Sequence, residues 1–373
     1  MNLEDALEYG HKHNLIGVYM EQLTESPYKG ATIRKVAELA PIDGADKIEV
    51  ATIDGWKVVV KKGEFKVNDL GCFIEIDTWL PVHPAWEFLD KAPRDYIGYG
   101  LGYRVRSIKL RKQLSQGVFL PIASLMKDLY GAFDQGNHPT PVKEGDDVSL
   151  QLGARHWEKP IPASQQGSVR GSFPSFIPKT DQERVQNIKN YIFGDTAQYR
   201  DTVWEISTKM DGSSITIYHN NGDVGVCSRN QSLKLQDLGS VFVRTAIETG
   251  IVDILKKTGK NWAIQGELVG PGIQDNHEGL GRPDIFVFDI YDIDEQKYLP
   301  PYLRQAAVLS LGLRHVPATA LFHIKFESMD NILEGAKGPS MLAEQREGLV
   351  YKHETGEFSF KAINNDFLLA KGE

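Results

Sequence analysis

Val203-Trp204-Glu205-Ile206-Ser207-Thr208-Lys209-Met210-Asp211-Gly212-Ser213-Ser214-Ile215-Thr216-Ile217-Tyr218 carries strand-like residues on both sides of an Asp-Gly step, and it reads as two strands joined by a tight turn. Lys209 falls at the end of the first strand. A lysine so placed serves as a nucleophile if burial and neighbouring positive charge lower its pKa enough to leave neutral amine. Taken alone, the segment reads first as a plain hairpin with a surface lysine, because Lys-Xaa-Asp-Gly is short and common.

Further strand-like runs follow at Cys227-Ser228-Arg229-Asn230, Ala263 to Leu268, Ile285 to Tyr291, Arg346 to Lys352 and Phe358 to Ala362. Helical patterns are fewer: Asp181 to Ile188, with Thr180 or Asp181 at the N-cap, and one within Leu238 to Lys257. The two patterns do not alternate regularly, which excludes a doubly wound sheet and predicts an α+β domain with antiparallel sheets over 181–373. Upstream, residues 156–180 hold Pro160, Pro162, Pro174 and Pro178 with several glycines and serines, and read as a linker. Residues 28–155 contain five or six short strand-like runs with turn signals at Asp54-Gly55 and Lys62-Gly63, which suit a small barrel of OB type. Residues 1–27 form an N-terminal extension without an assigned role. Its His11 and His13 carry no metal assignment.

The 373 residues are enough for two domains with separate cores. Lys and Arg total 42 against 50 Asp and Glu, a formal charge of −8, so wholesale coating of nucleic acid is excluded while a local basic face is not. Arg104, Arg106, Lys109, Arg111 and Lys112 make the densest cation cluster, read either as a phosphate-binding strand face or as a solvated edge protected by charge. Cys72 and Cys227, far apart, supply neither a disulfide framework nor a Cys-Xaa-Xaa-Cys zinc site and fit a reduced intracellular (cytoplasmic) setting. No apolar run approaches a membrane span and the start is acidic, so a soluble, unprocessed chain is expected.

The runs after Lys209 each offer a group that nucleotidyl transfer needs: Arg229 for a phosphate, Glu267 and Glu347 as carboxylates, Phe286 and Phe288 as rings at alternate strand positions, Lys352 and Lys361 as further cations. The ordered set over residues 204–362 resembles the covalent nucleotidyltransferases, the superfamily of ATP-dependent polynucleotide ligases and mRNA capping enzymes. Lys209-Met210-Asp211-Gly212-Ser213-Ser214 and Ser228-Arg229-Asn230 are most similar to RNA ligases. Phe173 to Asn187 is similar to the segment before the nucleophile in that family. Ile108 to Val118 resembles the first domain of RNA ligases that carry an N-terminal OB fold, and only residues 362–373 follow Lys361. The implied architecture is an OB-type barrel followed by an adenylyltransferase domain.

That resemblance implies an ATP-dependent RNA ligase in which Lys209 attacks the α-phosphorus of ATP, becomes lysyl-AMP, and passes AMP to a 5′-phosphate that a 3′-hydroxyl then displaces. It implies Mg²⁺ or Mn²⁺, held by Glu347 with Asp211 and Glu267, the last also a candidate for the ribose. Asp211 and Gly212 belong to the nucleophile motif, Phe286 or Phe288 would stack on adenine, Arg229 would contact a nucleotide phosphate or the 5′-phosphate end, and Lys361 the α-phosphate. Arg184 and Lys352 are candidates for the leaving pyrophosphate. Where many relatives carry lysines two apart, this chain has Ser359-Phe360-Lys361. The expected partner is an RNA-containing duplex with 3′-hydroxyl and 5′-phosphate ends, bound by a monomer. The alternatives are a ligase for DNA or single-stranded ends, a guanylyltransferase, or a nucleic-acid-binding protein with an inactive transferase domain.

Overall fold

A computed structural model of the protein describes residues 29–111, 113–125, 142–157, 168–194 and 197–371. The 1–27 extension and Lys112 lie outside the described residues. The chain divides into two compact units, with the boundary between residues 160 and 161.

In the first unit, short antiparallel strands build the sheets. Ala31–Lys35, Leu70–Ile74 and Val118–Pro121 form one, with Leu70–Ile74 central. Glu38–Pro41, Ile48–Ile53 and Trp56–Lys61 form a meander whose last turn is Asp54-Gly55, with φ of 52° and 88°. Two successive left-handed residues match the strand twist of a two-residue hairpin, as the Asp-Gly signal predicts. A third sheet pairs Arg155–His156, Thr78–Pro81, Gly100–Arg104 and Arg94–Tyr96. Alternate residues bury Ile33, Cys72, Ile74, Leu80 and Val118 in one core cluster and Ile53, Trp56, Val58, Phe73 and Phe119 in another. This is the OB-type architecture expected for the N-terminal part.

The second unit has two mainly antiparallel sheets. The larger runs Val169–Ser172, Gln231–Leu233, Asp223–Cys227, Ser213–Asn220, Trp262–Val269, Asp284–Asp292 and Lys297–Tyr298. Helices Val241–Glu248, Ile251–Thr258 and Pro301–Ser310 supply Val243, Ala246, Leu255 and Val308 to a core shared with Ile215, Ile217, Ile264 and Val287 of that sheet. The smaller sheet runs Glu183–Arg184, Ser359–Ile363, Gly348–His353, Asp201–Lys209 and Phe322–Lys325 around buried Trp204, with Tyr351 and Phe360 stacked at 4.8 Å.

Four sequence readings change. Asp201–Lys209 and Ser213–Asn220 are not a hairpin: they belong to different sheets, and Met210-Asp211-Gly212 carries the chain from one to the other. The single helix read within 238–257 is two, broken at Gly250 with φ 75°. Val169–Ser172, inside the stretch read as linker, pairs with Gln231–Leu233 as a strand. The helix read from Asp181 starts later, because Glu183–Arg184 pairs parallel with Phe360 and Lys361, and helical turns begin only at Val185.

Candidate active site

The crossing from the smaller sheet to the larger one positions Lys209. Its strand pairs with Gly348–His353, Lys209 lying opposite Gly348, so Glu347 follows directly beside it. The Lys209 Nζ donates to Glu347 Oε2 at 2.6 Å. Gly348 is required there: a Cβ would stand 2.2 Å from the Ala362 carbonyl oxygen of the neighbouring strand. Gly212 plays the same part on the other side of the crossing, where a Cβ would meet the Leu268 carbonyl oxygen at 2.5 Å and the Glu267 side chain at 2.9 Å. Two close approaches thus bring both motif carboxylates to the lysine.

Charge sets the protonation of this cluster. Burial works to lower the Lys209 pKa, but Glu347, Glu267 and Asp211 together outweigh it and hold the ammonium above its ordinary value. This reverses the sequence expectation of a depressed lysine, because the nearest charges are carboxylates. Glu267 is pushed up to about 8, first by burial and then by Glu347 and Asp211, against the pull of Lys209 and Arg229. Lys361 is depressed to about 8, first by burial and then by the positive charges of Arg184 and Lys209. Its strand lies between Glu183–Arg184 and Gly348–His353, with Arg184 and Val350 as its two register partners. Lys209, Glu347, Glu267, Asp211, Lys361, Arg184 and Arg229 are therefore brought within electrostatic reach of one another.

The segment before the nucleophile folds over the same region through its own polar groups. Asp181 accepts from the Arg229 Nη2 at 2.8 Å, the Thr180 and Ser214 hydroxyls are 2.6 Å apart, and Gln265 Nε2 donates to the Pro178 carbonyl at 2.8 Å. Neither Thr180 nor Asp181 caps a helix, since their oxygens serve these tertiary contacts. Asp181 was legible only as a cap, and nothing in the local pattern signalled a partner 48 residues away.

Phe286 and Phe288 are not equivalent. The register between Trp262–Val269 and Asp284–Asp292 shifts at Gln265 and Gly266, which pair with Asp289 and Val287 and leave Phe288 as the extra residue of a bulge. Phe286 is buried with Met210, Val269 and Val316, whereas Phe288 is half-buried at the edge of that cluster. The bulge breaks the strand alternation on which the one-face reading of the two rings rested.

Lys352 is not brought to Lys209. It sits four positions along the paired strand, opposite Glu205, with its Nζ 2.6 Å from Asp289 Oδ1 and 2.5 Å from the Phe288 carbonyl oxygen. Asp289 also faces Arg304, which pairs with buried Glu205 and donates its Nε to His315 Nε2 at 3.1 Å. Burial depresses Lys352 to about 8 even beside Asp289. The expectation of a pyrophosphate contact is corrected on this ground: the ammonium is committed to a buried charge network beneath Phe288. Glu205 shares a strand face with Lys209, but an acid at that position signals nothing without its distant partners.

The first unit revises the basic cluster. Arg104 ends the Gly100–Arg104 strand, pairs with Asp77 at 2.5 Å and lies 3.6 Å over the Trp157 ring. Arg106 is exposed in the following loop, while Lys109 and Arg111 are exposed on the Ile108–Leu110 and Gln113–Ser115 hairpin. The expected single strand with one basic face is thus a strand end, a loop and a hairpin, with Arg104 committed internally.

Among the described residues, no group of three or more His, Cys, Asp and Glu side chains lies close enough to hold a metal ion. Two of the three carboxylates face ammonium groups instead: Glu347 faces Lys209, and Asp211 Oδ2 lies 2.9 Å from Lys371 Nζ. The hard carboxylate oxygens fit a hydrated divalent cation held by one or two of them, not a closed ligand cage. No described helix is long and apolar enough to cross a membrane.

An OB-fold domain family model matches residues 30–122, and an RNA ligase family model matches residues 202–363. Among solved structures, an apo variant of Naegleria gruberi RNA ligase is 39% identical with a TM-score of 0.80, covering 92% of this chain and 98% of that one. A variant of the same ligase with ATP and Mn matches at 39% identity and TM-score 0.79, over 92% of this chain and 100% of that one. Naegleria gruberi RNA ligase with PPi matches at the same identity and TM-score, covering 92% and 98% of the two chains. No curated protein matches the chain at a comparable level of significance.

Proposed function

The chain belongs to the RNA ligase family, and from that premise we propose that it is an ATP-dependent ligase that joins 3′-hydroxyl to 5′-phosphate ends of RNA through a lysyl-AMP intermediate on Lys209. The observation that carries the reading is Lys209 at the sheet crossing, with Glu347 at 2.6 Å and with Glu267, Lys361 and Asp211 around it. A Naegleria ligase variant with ATP and Mn, alike over nearly the whole chain, supports the choice of nucleotide and of a divalent cation.

In the first step the Lys209 ammonium gives up one proton, the amine nitrogen forms a bond to the α-phosphorus of ATP as the bond to the pyrophosphate oxygen breaks, and a second proton leaves the nitrogen for solvent. Glu347, already hydrogen-bonded to that nitrogen, is the nearest acceptor for the first proton. Glu347 with Asp211 or Glu267 would hold a divalent cation, directly or through its waters, and that ion would supply Lewis-acid neutralisation of phosphate charge. Lys361 faces the α-phosphate and Arg184, its register neighbour, the pyrophosphate, while Arg229 takes the 5′-phosphate end. Phe288, the half-buried ring, stacks on adenine, and Phe286 is core.

In the second step a 5′-phosphate oxygen bonds to the AMP phosphorus, the nitrogen–phosphorus bond breaks, and the nitrogen takes up a proton, restoring the amine. In the third, the 3′-hydroxyl oxygen bonds to the 5′-phosphate phosphorus, AMP departs, and the hydroxyl proton is released. The exposed Arg106, Lys109 and Arg111 of the first unit supply phosphate contacts to a duplex substrate whose 3′-hydroxyl strand is RNA. The test compares sealing of a nicked duplex with an RNA 3′ end, the same nick with a DNA 3′ end, and single-stranded RNA, each with ATP or GTP. The reading predicts ATP-dependent sealing that is fastest on the first. Equal rates on DNA nicks, or GTP as the better nucleotide, would overturn it.

A further inference from the structure

Phe288, the ring given to adenine above, is the inserted residue of the bulge opposite Gln265 and Gly266. A bulge position has no directly opposite residue on the partner strand, so the ladder alone does not fix where its side chain points. Both chain neighbours of Phe288 are tied to the buried charge network. On one side Asp289 Oδ1 lies 2.6 Å from Lys352 Nζ and 3.5 Å from Arg304 Nη1. On the other, the Val287 carbonyl accepts from the Val316 N–H at 3.0 Å, and the Val316 carbonyl lies 2.6 Å from His315 Nδ1. His315 Nε2 accepts the Arg304 Nε–H at 3.1 Å, so the imidazole proton sits on Nδ1 and is donated to that carbonyl. Arg304 also pairs with Glu205, which Gln305 holds from the other oxygen. Lys352 reaches Phe288 itself: its Nζ donates to the Phe288 carbonyl at 2.5 Å and lies 5.4 Å from the ring centroid.

We propose that Lys352 is a positioning residue for adenine binding: it fixes the bulge through the Phe288 carbonyl and so presents the Phe288 ring to the purine, while Asp289, Arg304 and Glu205 keep its ammonium in place. The proposal rests on Phe288 stacking on adenine. Fold stability does not by itself account for these four buried charged side chains, because buried ion pairs contribute little over apolar side chains of similar volume. A charge-assisted hydrogen bond is the stronger kind and holds its acceptor in one place, which is what an otherwise unregistered bulge requires.

The test is lysine adenylylation of the full chain with α-labelled ATP at rising concentration, read as the half-saturating ATP concentration and the rate at saturation. Lys352→Met combined with Asp289→Asn removes both charges of one pair and leaves Arg304 with Glu205, so no buried charge is left alone. The combination should raise half-saturating ATP about fivefold to thirtyfold and keep the saturating rate within about twofold, because it displaces the ring and not the groups around Lys209. Phe288→Ala should raise half-saturating ATP as well. Adding the combination to Phe288→Ala should change that value by less than about twofold more, since it acts through the ring. Lys352→Arg keeps the charge but replaces a point donor by a planar fork, and it should show the same rise and the same lack of additivity. It serves if the combination does not fold.

If Phe288→Ala leaves half-saturating ATP unchanged, the stacking assignment fails and the proposal fails with it. If Phe288→Ala raises it while the Lys352 variants do not, or if their losses add in full to that of Phe288→Ala, the stacking assignment survives and the positioning role is overturned. A loss confined to the saturating rate in the Lys352 variants would overturn that role too, by placing Lys352 in the chemistry.

Discussion

The Glu267 carboxylate helps hold the Lys209 proton, whereas burial keeps the Glu267 proton on against the pull of Lys209, and the two titrations carry the first two predictions. Glu347 makes both a charge contact and a hydrogen bond to the Lys209 ammonium. Glu347→Gln should therefore make Lys209 titrate at lower pH than in the unchanged chain, as read from the pH dependence of Lys209 acylation in the ligand-free protein. An unmoved profile would show that Glu347 does not control the proton. Glu267, raised from 4.5 to about 8, keeps an extra proton in the folded state across that interval. An acid whose folded pKa lies above its unfolded one loses stability as pH rises through this window, so stability should fall between about pH 4.5 and 8. Glu267→Gln should flatten that slope in urea melts at successive pH values. Lys209, Glu267, Glu347 and Lys361 were legible as residue types at motif spacing. The direction of the lysine's pKa was not, because it depends on which charges the fold gathers, and Glu347, whose carboxylate holds the ammonium, stands 138 positions beyond it.

The strands themselves were readable from alternation, but their partners were not. Asp211-Gly212 looks like a hairpin turn, and only the strand register reveals a passage between sheets. At Asp54-Gly55 the same dipeptide closes a true hairpin with two left-handed residues, whereas neither Asp211 nor Gly212 has positive φ. The bulge at Phe288 was likewise hidden, since alternation counts positions and cannot see an inserted residue in the pairing. Gly348 tests whether close strand approach is what brings Glu347 to Lys209. Gly348→Ala places a methyl 2.2 Å from the Ala362 carbonyl, which backbone atoms cannot yield to cheaply. The expected loss is about 1–3 kcal/mol of unfolding free energy, with adenylylation reduced more than the stability loss alone predicts. Stability and activity both unchanged would contradict the tight register.

For the whole chain, composition gives −8 overall, and the exposed cations Arg106, Lys109 and Arg111 lie together on a loop and hairpin of the first unit. The two-part architecture was legible because an OB-type barrel and an antiparallel α+β domain have different strand spacing. What sequence could not separate was which arginines of the basic cluster are spent internally, as Arg104 is on Asp77 and Trp157. Neutralising Arg106, Lys109 and Arg111 together should weaken RNA duplex binding and reduce the slope of log affinity against log salt by about 2–3. Lysine adenylylation should stay intact, and an unchanged salt slope would remove that hairpin from the RNA interface. Covalent catalysis at Lys209 is checked by incubating the protein with α-labelled ATP and Mg²⁺ or Mn²⁺, mapping the label by peptide mass spectrometry, and chasing with a nicked duplex bearing an RNA 3′-hydroxyl. Label is expected on Lys209, none in folded Lys209→Ala, with loss of label from the protein as the nick closes. Label on another residue, or adenylylation persisting in Lys209→Ala, would contradict it.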